Sequence, residues 1–281
     1  MPLQACTKKS ADHARFEFGK NWQRFSKLVS KERIAEAEKS LQELLDCENL
    51  QERSFLDIGS GSGLFSLAAV RLGARVISFD YDAHSVACTA ALQQKFRPDQ
   101  KDWVIHQGSV LDDNFIKSLG TFDVVYSWGV LHHTGSMWHA LDNARLPLKK
   151  GGKLYVALYN DQGILSSLWK NVKKLYCSSR AGRIATVTAC IPAFFSAALV
   201  LDILKLRNPF ARYCTYKQKN RGMSVYYDWI DWLGGYPFEV AKPEQVIAFY
   251  KDKGLTLQAL KTTKGWGNNE FVFVMTDGSP V

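Results

Sequence analysis

Residues 55–63 read Phe-Leu-Asp-Ile-Gly-Ser-Gly-Ser-Gly, a carboxylate at the end of a short apolar run followed by three alternating glycines. Glycine lets a backbone turn sharply and come close to a ligand. Asp57, Gly59, Ser60 and Gly61 are therefore candidate ligand contacts. Asp80 closes the next apolar run, where its carboxylate can accept hydrogen bonds from both hydroxyls of a ribose. Its plainer reading is a helix cap, a role for which Asp82 is the better candidate. Spacing excludes two phosphate loops. A dinucleotide loop, Gly-x-Gly-x-x-Gly, needs a glycine where Leu64 stands. A P-loop needs Gly-Lys-Ser/Thr, and none follows. Asp57 would also repel a pyrophosphate. The pattern suits a cationic nucleoside without phosphates.

S-adenosylmethionine is such a ligand, with an ammonium, a ribose carrying two hydroxyls, and a sulfonium. Methyl transfer from it is an in-line displacement, for which positioning and water exclusion can supply roughly 7–11 kcal/mol. A hydroxyl nucleophile gains from a general base titrating near about pH 7. His132 and His133 follow the fourth apolar run and are the candidates, His133 ahead of His132; the alternative is a structural histidine capping the next helix. A second cluster spans residues 221–239 and is dense in aromatics, acids and glycines. There Arg221, Tyr227, Asp228, Asp231, Trp232, Tyr236 and Glu239 either shape a substrate pocket or form a packed surface loop. No histidine joins these acids, so no metal site is expected.

The elements that must position these groups alternate. Short apolar runs at 53–58, ARVISFD, DWVIHQ, TFDVVYSW and KLYVALYN are expected strands, the last preceded by a turn at Lys149-Lys150-Gly151-Gly152. Helical patterns lie between them, and Gly73 ends the first. Such alternation means parallel β-α-β units with helices on both faces of a sheet. After residue 242 a helix, PEQVIAFYKDKG, and two strands, LTLQALKTT and NEFVFVM, return. Residues 12–50 read as helical, with an aromatic cluster at Phe16, Phe18, Trp22 and Phe25. Four parts are expected: an N-terminal helical lid at 1–52, the first part of the core at 53–162, a basic and apolar helical cap with the substrate loop at 163–242, and the last part of the core at 243–281.

These residues resemble the class I S-adenosylmethionine-dependent methyltransferases, over about 53–160 and again in the C-terminal strands. The resemblance implies a Rossmann-like, doubly wound α/β fold: a seven-stranded sheet with its last strand antiparallel, and a helical cap inserted before the sixth strand. It implies that Asp57, Gly59, Ser60 and Gly61 cradle the methionine part, that Asp80 binds the ribose, and that Tyr81 lies beside the adenine. Gly108-Ser109-Val110 matches the adenine turn, where the family often has Asp in place of Ser109; Trp128 ends the strand beneath the methyl group. Val130-Leu131-His132-His133-Thr134 resembles the small-molecule branch, ubiquinone-type O-methyltransferases included. Residues 16–25 resemble a leader found before some bacterial methyltransferase domains, implying that Trp22 and Phe18 close over the cofactor as a lid.

Composition bounds the rest. The chain of 281 residues is 46% hydrophobic and 22% charged, which excludes disordered, collagen-like and disulfide-scaffold classes. Six cysteines without a Cys-x-x-Cys pair, and an N-terminus without an apolar signal core, point to a cytoplasmic protein with reduced thiols. The net charge is +9, and residues 164–221 alone hold eleven Lys/Arg against one acid, Asp202. That stretch also contains residues 184–201, eighteen without a charge and interrupted by Pro192. A hairpin of two apolar helices is expected, serving either as a buried cap or as peripheral contact with an anionic membrane surface. The expected activity is methyl transfer to a small, lipophilic or anionic acceptor. RNA is the alternative partner, from basic and aromatic residues interleaved at 213–226, and a non-catalytic cofactor-binding protein is the third reading.

Overall fold

Strand β3 (Ser54–Ile58) buries every residue after the first, which makes it a central strand rather than an edge. Its period of two sends Leu56 and Ile58 to one face of a sheet and Phe55 and Asp57 to the other. The computed structural model describes residues 6–8, 14–16, 18–19, 22, 29–97, 101–206, 208, 225–263, 265 and 267–276. The chain divides into two compact units, Gly19–Ser166 with Glu239–Val281, and Met1–Phe18 with Ser167–Phe238.

In the first unit β3 joins β4 (Arg75–Asp80), β5 (Trp103–Gln107), β6 (Phe122–Trp128), β7 (Leu148–Tyr159), β8 (Leu255–Lys261) and β9 (Asn268–Met275). Their order across the sheet is β5-β4-β3-β6-β7-β9-β8. Pairs β3–β4, β3–β6, β4–β5 and β6–β7 are parallel, and β9 runs antiparallel to both β7 and β8. The expected doubly wound sheet of seven strands, with the last one reversed, is what forms. Strand order turns back between β3 and β6, which opens a crevice beyond their carboxyl ends. Helices α1 (Lys31–Leu45) and α2 (Leu64–Arg71) cover the Phe55 face, while α5 (Met137–Arg145) and α9 (Pro243–Lys251) cover the Leu56 face. Two further helices, α3 (Ala83–Phe96) and α4 (Asp113–Ser118), follow β4 and β5.

The second unit contains α7 (Arg180–Leu204), α8 (Val225–Gly234) and most of α6 (Ile164–Ser178). Its aromatic core gathers Phe16, Tyr176, Ile230 and Leu233.

Four expectations change. Ala14–Phe16 is not helical: it is strand β2, paired antiparallel with β1 (Cys6–Lys8). An extended backbone lets the Phe16 N–H reach the Tyr236 carbonyl at 2.9 Å while the ring buries beside Tyr176. The Lys149–Gly152 stretch is no turn, because β7 runs through it and the register with β6 shifts there. Gly151 takes φ +69 at the bulge, and a Cβ on Gly152 would stand 3.0 Å from the Asp123 carbonyl. The apolar run is one continuous helix, α7, with Pro192 inside it and not a hairpin; proline removes one backbone donor, and the turns on either side still close. Residues 225–234, expected as loop, are helix α8. In addition Cys177 stands in a disulfide, so the thiols are not all reduced.

Candidate active site

Backbone conformation builds the centre of the site. Gly59, Gly61 and Gly63 have φ of +76, +56 and +79, the left-handed region that side chains resist. A Cβ on Gly59 would lie 2.5 Å from Val130, and one on Gly61 would meet the Trp22 indole at 3.1 Å. The turn is tethered to the neighbouring strand, since the N–H groups of Gly59 and Ser60 donate to the Phe79 carbonyl at 2.8 and 3.1 Å. The Ser60 hydroxyl lies 2.9 Å from that of Thr89 on α3.

Two carboxyls flank this turn. Asp57 is buried, and its Oδ2 accepts a 2.5 Å hydrogen bond from the Ser66 hydroxyl, in the first turn of α2. Behind it runs a relay: Ser78 donates to Ser66 at 2.8 Å, and the Trp103 indole donates to Ser78 at 2.8 Å. Burial pushes Asp57 up to about 7 despite the Ser66 bond, and the nearby Asp80 charge adds to the rise. Asp80 accepts the Gly61 N–H at 3.0 Å on one oxygen and the Asp82 N–H at 2.9 Å on the other. Burial lifts it to about 6 against those two bonds. Asp82 caps α3 as expected, through the His84 N–H at 2.9 Å.

The N-terminal segment touches the same place. Gly19 donates its N–H to Asp82 at 3.0 Å, and the Trp22 ring faces Gly61. Phe18 packs edge-on against Phe16, with centroids 4.9 Å apart.

The remaining candidates have these positions. Tyr81 is exposed, and its carbonyl accepts the Gln107 amide at 3.3 Å. Ser109 turns its hydroxyl to the Leu111 N–H at 3.2 Å, and Val110 is buried in the core. Half-buried Trp128 bonds the Tyr155 hydroxyl. His132 and His133 form a 3-10 turn after β6. His132 is buried against Tyr159, with ring centroids 4.0 Å apart, and its Nδ1 accepts the Tyr159 N–H at 3.3 Å. His133 is partly open, its ring edge-on to Tyr159 at 5.4 Å.

Glu239 arrives from far along the chain. Its backbone N–H donates to the His132 carbonyl, and its carboxylate accepts the Met137 N–H, both at 3.0 Å, so it caps α5 and ties down the histidine turn. Trp232 and Tyr236 belong to the other unit. There the Trp232 ring lies under Lys173 Nζ at 4.1 Å, and the Tyr236 carbonyl accepts the Phe16 N–H. Arg221 and the side chains of Tyr227, Asp228 and Asp231 lie outside the described residues. Among the described residues no group of three metal-ligating side chains gathers.

Sequence reasoning missed Ser66, Ser78, Trp103 and Thr89, and gave Val130 only as part of the histidine motif. Ser66 carried a usable signal, since a polar residue in the first turn after a glycine loop faces the preceding strand end. Ser78 and Trp103 reach Asp57 only through strand register.

Comparison with known proteins follows the same lines. A family described as a methyltransferase domain matches residues 29–196. Among curated relatives, the tRNA U34 carboxymethyltransferase of Actinobacillus succinogenes is 33% identical over 106 residues, 37% of this chain and 32% of that protein. The ubiquinone biosynthesis O-methyltransferase of Pelagibacter ubique is 29% identical over 113 residues, 40% of this chain and 44% of that protein. The chain thus spans less than half the length of the relatives it matches. Magnesium protoporphyrin IX methyltransferase from Synechocystis, solved with bound SAH, shares the fold with a TM-score of 0.55 at 12% identity, covering 92% of this chain and 94% of that one.

Proposed function

The chain belongs to the methyltransferase-domain family, and from that premise we propose that it methylates a small-molecule acceptor, lipophilic or anionic, using S-adenosylmethionine. One observation carries the cofactor assignment: a left-handed glycine turn between the buried carboxyl of Asp57 and the half-buried carboxyl of Asp80, raised to about 7 and about 6. The residues present fit that group. Without a Cβ at Gly59 and Gly61 the loop backbone turns in the left-handed region and packs directly against Val130 and Trp22, which brings its backbone to the edge of the site. Both oxygens of Asp80 already hold one backbone N–H each, which aims their other lone pairs outward for ribose hydroxyls. Asp57, one oxygen fixed by Ser66, supplies negative charge for an ammonium through the loop. Bound there, S-adenosylmethionine supplies a methyl carbon made electrophilic by the sulfonium.

The protein's own part is orientation, exclusion of water and proton handling. Trp22, against Gly61, shields the glycine turn as a lid. His133 is the group we assign to proton removal from an acceptor hydroxyl. Buried His132 and the Glu239 bonds hold the turn that carries it. A second reading, RNA as acceptor, draws support from the excess positive charge of residues 164–221 and from the tRNA-modifying relative.

The test is incubation with labelled methyl donor and cell extract separated into lipid, small-molecule, RNA and protein pools. Label is expected in the small-molecule or lipid pool, and lost with Asp80→Ala. Label in the RNA pool, weakened by salt as phosphate contacts require, installs the second reading instead.

A further inference from the structure

In water a helix turns its large apolar residues inward and its small or polar ones outward. The C-terminal half of helix α7 does the opposite. The helix packs Val187, Cys190, Ile191 and Phe194 against the core, but its fully buried positions are Gly182, Thr186, Ala198 and Asp202, and the acid is only 3% exposed. Outward stand Phe195, Leu199, Val200, Leu201, Ile203 and Leu204, with Val200 53%, Ile203 58% and Leu204 74% exposed. Helix α6 buries Tyr176 and Cys177 but mixes in the same feature: Lys173 is fully buried, its Nζ 4.1 Å from the Trp232 ring centroid and 4.9 Å from that of Phe238, while Leu168 and Leu175 are exposed two turns apart.

Successive residues advance by about 100° around a helix axis. Leu199, Ile203, Val200, Leu204 and Leu201 therefore cover an arc of roughly 200°, wider than one face of a partner protein or a second copy can cover. A fluid apolar medium covers such an arc. The charges define that medium further. Arg180 starts the helix and Lys205 follows it, both exposed, and Lys170 and Lys174 are exposed on α6. The single acid among residues 164–221 is the buried Asp202.

We propose that α7 lies in the interfacial plane of an anionic lipid leaflet, its apolar arc sunk to acyl-chain depth and its basic ends among the headgroups. At about 1.5 Å per residue its length is near 37 Å, long enough to cross a bilayer. One feature favours lying flat over crossing: Trp229 of α8 packs against Phe194 near the middle of α7, with ring centroids 5.7 Å apart, which keeps one side of the helix against protein along its length. This inference does not depend on the acceptor or on methyl transfer.

Co-sedimentation of the full chain with vesicles tests it. The protein is expected to pellet with phosphatidylcholine vesicles containing phosphatidylglycerol, and to bind pure phosphatidylcholine at least about tenfold more weakly. The double variant Val200→Glu, Leu204→Glu should lose at least about tenfold in partitioning onto the mixed vesicles. Its S-adenosylmethionine affinity, read by calorimetry, should stay within about twofold of the original. A second pair, Lys170→Glu with Lys174→Glu, should weaken binding to mixed vesicles and leave the residual binding to pure phosphatidylcholine unchanged. Wild-type protein left in the supernatant with both vesicles overturns the proposal, as does a Val200→Glu, Leu204→Glu chain that binds like wild type. So does light scattering, without lipid, that finds a dimer which this variant splits, since the face would then belong to a second copy.

Discussion

Asp57 and Asp80 are acids that the fold holds closer to neutrality than water would. Each takes up a proton more readily in the folded chain, Asp57 to about 7 and Asp80 to about 6. A raised carboxyl contributes stability that is complete below its unfolded value near about 4 and is lost as the pH climbs through its folded value. The stability advantage of Asp57→Asn over wild type, from urea unfolding without ligand, should therefore grow between about pH 5 and about pH 8. A cation in the site acts in the reverse direction, because it favours the ionised carboxylates. Affinity for S-adenosylmethionine should rise through the same interval, with proton release visible as a buffer-dependent binding enthalpy. These two residues and the glycines between them could be read directly from the chain, because a strand, an acid and alternating glycines are contiguous. The relay behind Asp57 was hidden, since Ser66, Ser78 and Trp103 sit on three different elements. Glu239 looked like a pocket acid, and only the folded chain brings it to the start of α5.

Among elements, β6 and β7 are clamped at the end of the sheet away from the crevice. Asp123 accepts the Ser54 N–H at 2.8 Å, the Ser54 hydroxyl at 2.6 Å and Lys149 Nζ at 2.9 Å. Burial would raise this carboxyl, but the Lys149 and Ser54 bonds outweigh it and hold it far below the usual range. A depressed carboxyl stabilises above its unfolded value and loses that contribution as pH falls through its folded one. Asp123→Asn should cost about 2 kcal/mol near neutrality and less at about pH 3, measured as urea midpoints across pH. Strand existence was legible because apolar runs alternate with helical periods, and the reversed last strand was implied by the family resemblance. Bounds were harder. The paired glycines at 151–152 carry a turn signal, yet β7 uses them as a kink within a strand. Pro192 signals a break, yet one missing donor does not stop a helix whose neighbouring turns are intact. The hairpin of β1 and β2 has only three residues in each strand, too few for a period to register.

At the scale of the whole chain, two cores coexist. The sheet unit holds two apolar clusters, one on each face, and the second unit has its own around Phe16, Tyr176 and Leu233. Calorimetric melting should resolve two transitions. S-adenosylmethionine at a hundred times its Kd should stabilise the sheet transition by about 2.7 kcal/mol and leave the other in place. Charge divides along the same lines, since the surplus of basic residues is confined to 164–221. Composition alone showed that division, but not which side of α7 faces outward. The chain of hydroxyls from Trp103 to Asp57 has one more use. Every donor in it points toward the carboxylate, so the polarity around the indole follows whether that carboxylate is ionised. The emission of Trp103, isolated as the difference between wild type and Trp103→Phe, is thereby an optical reading of the charge beneath the glycine turn, obtained without a label.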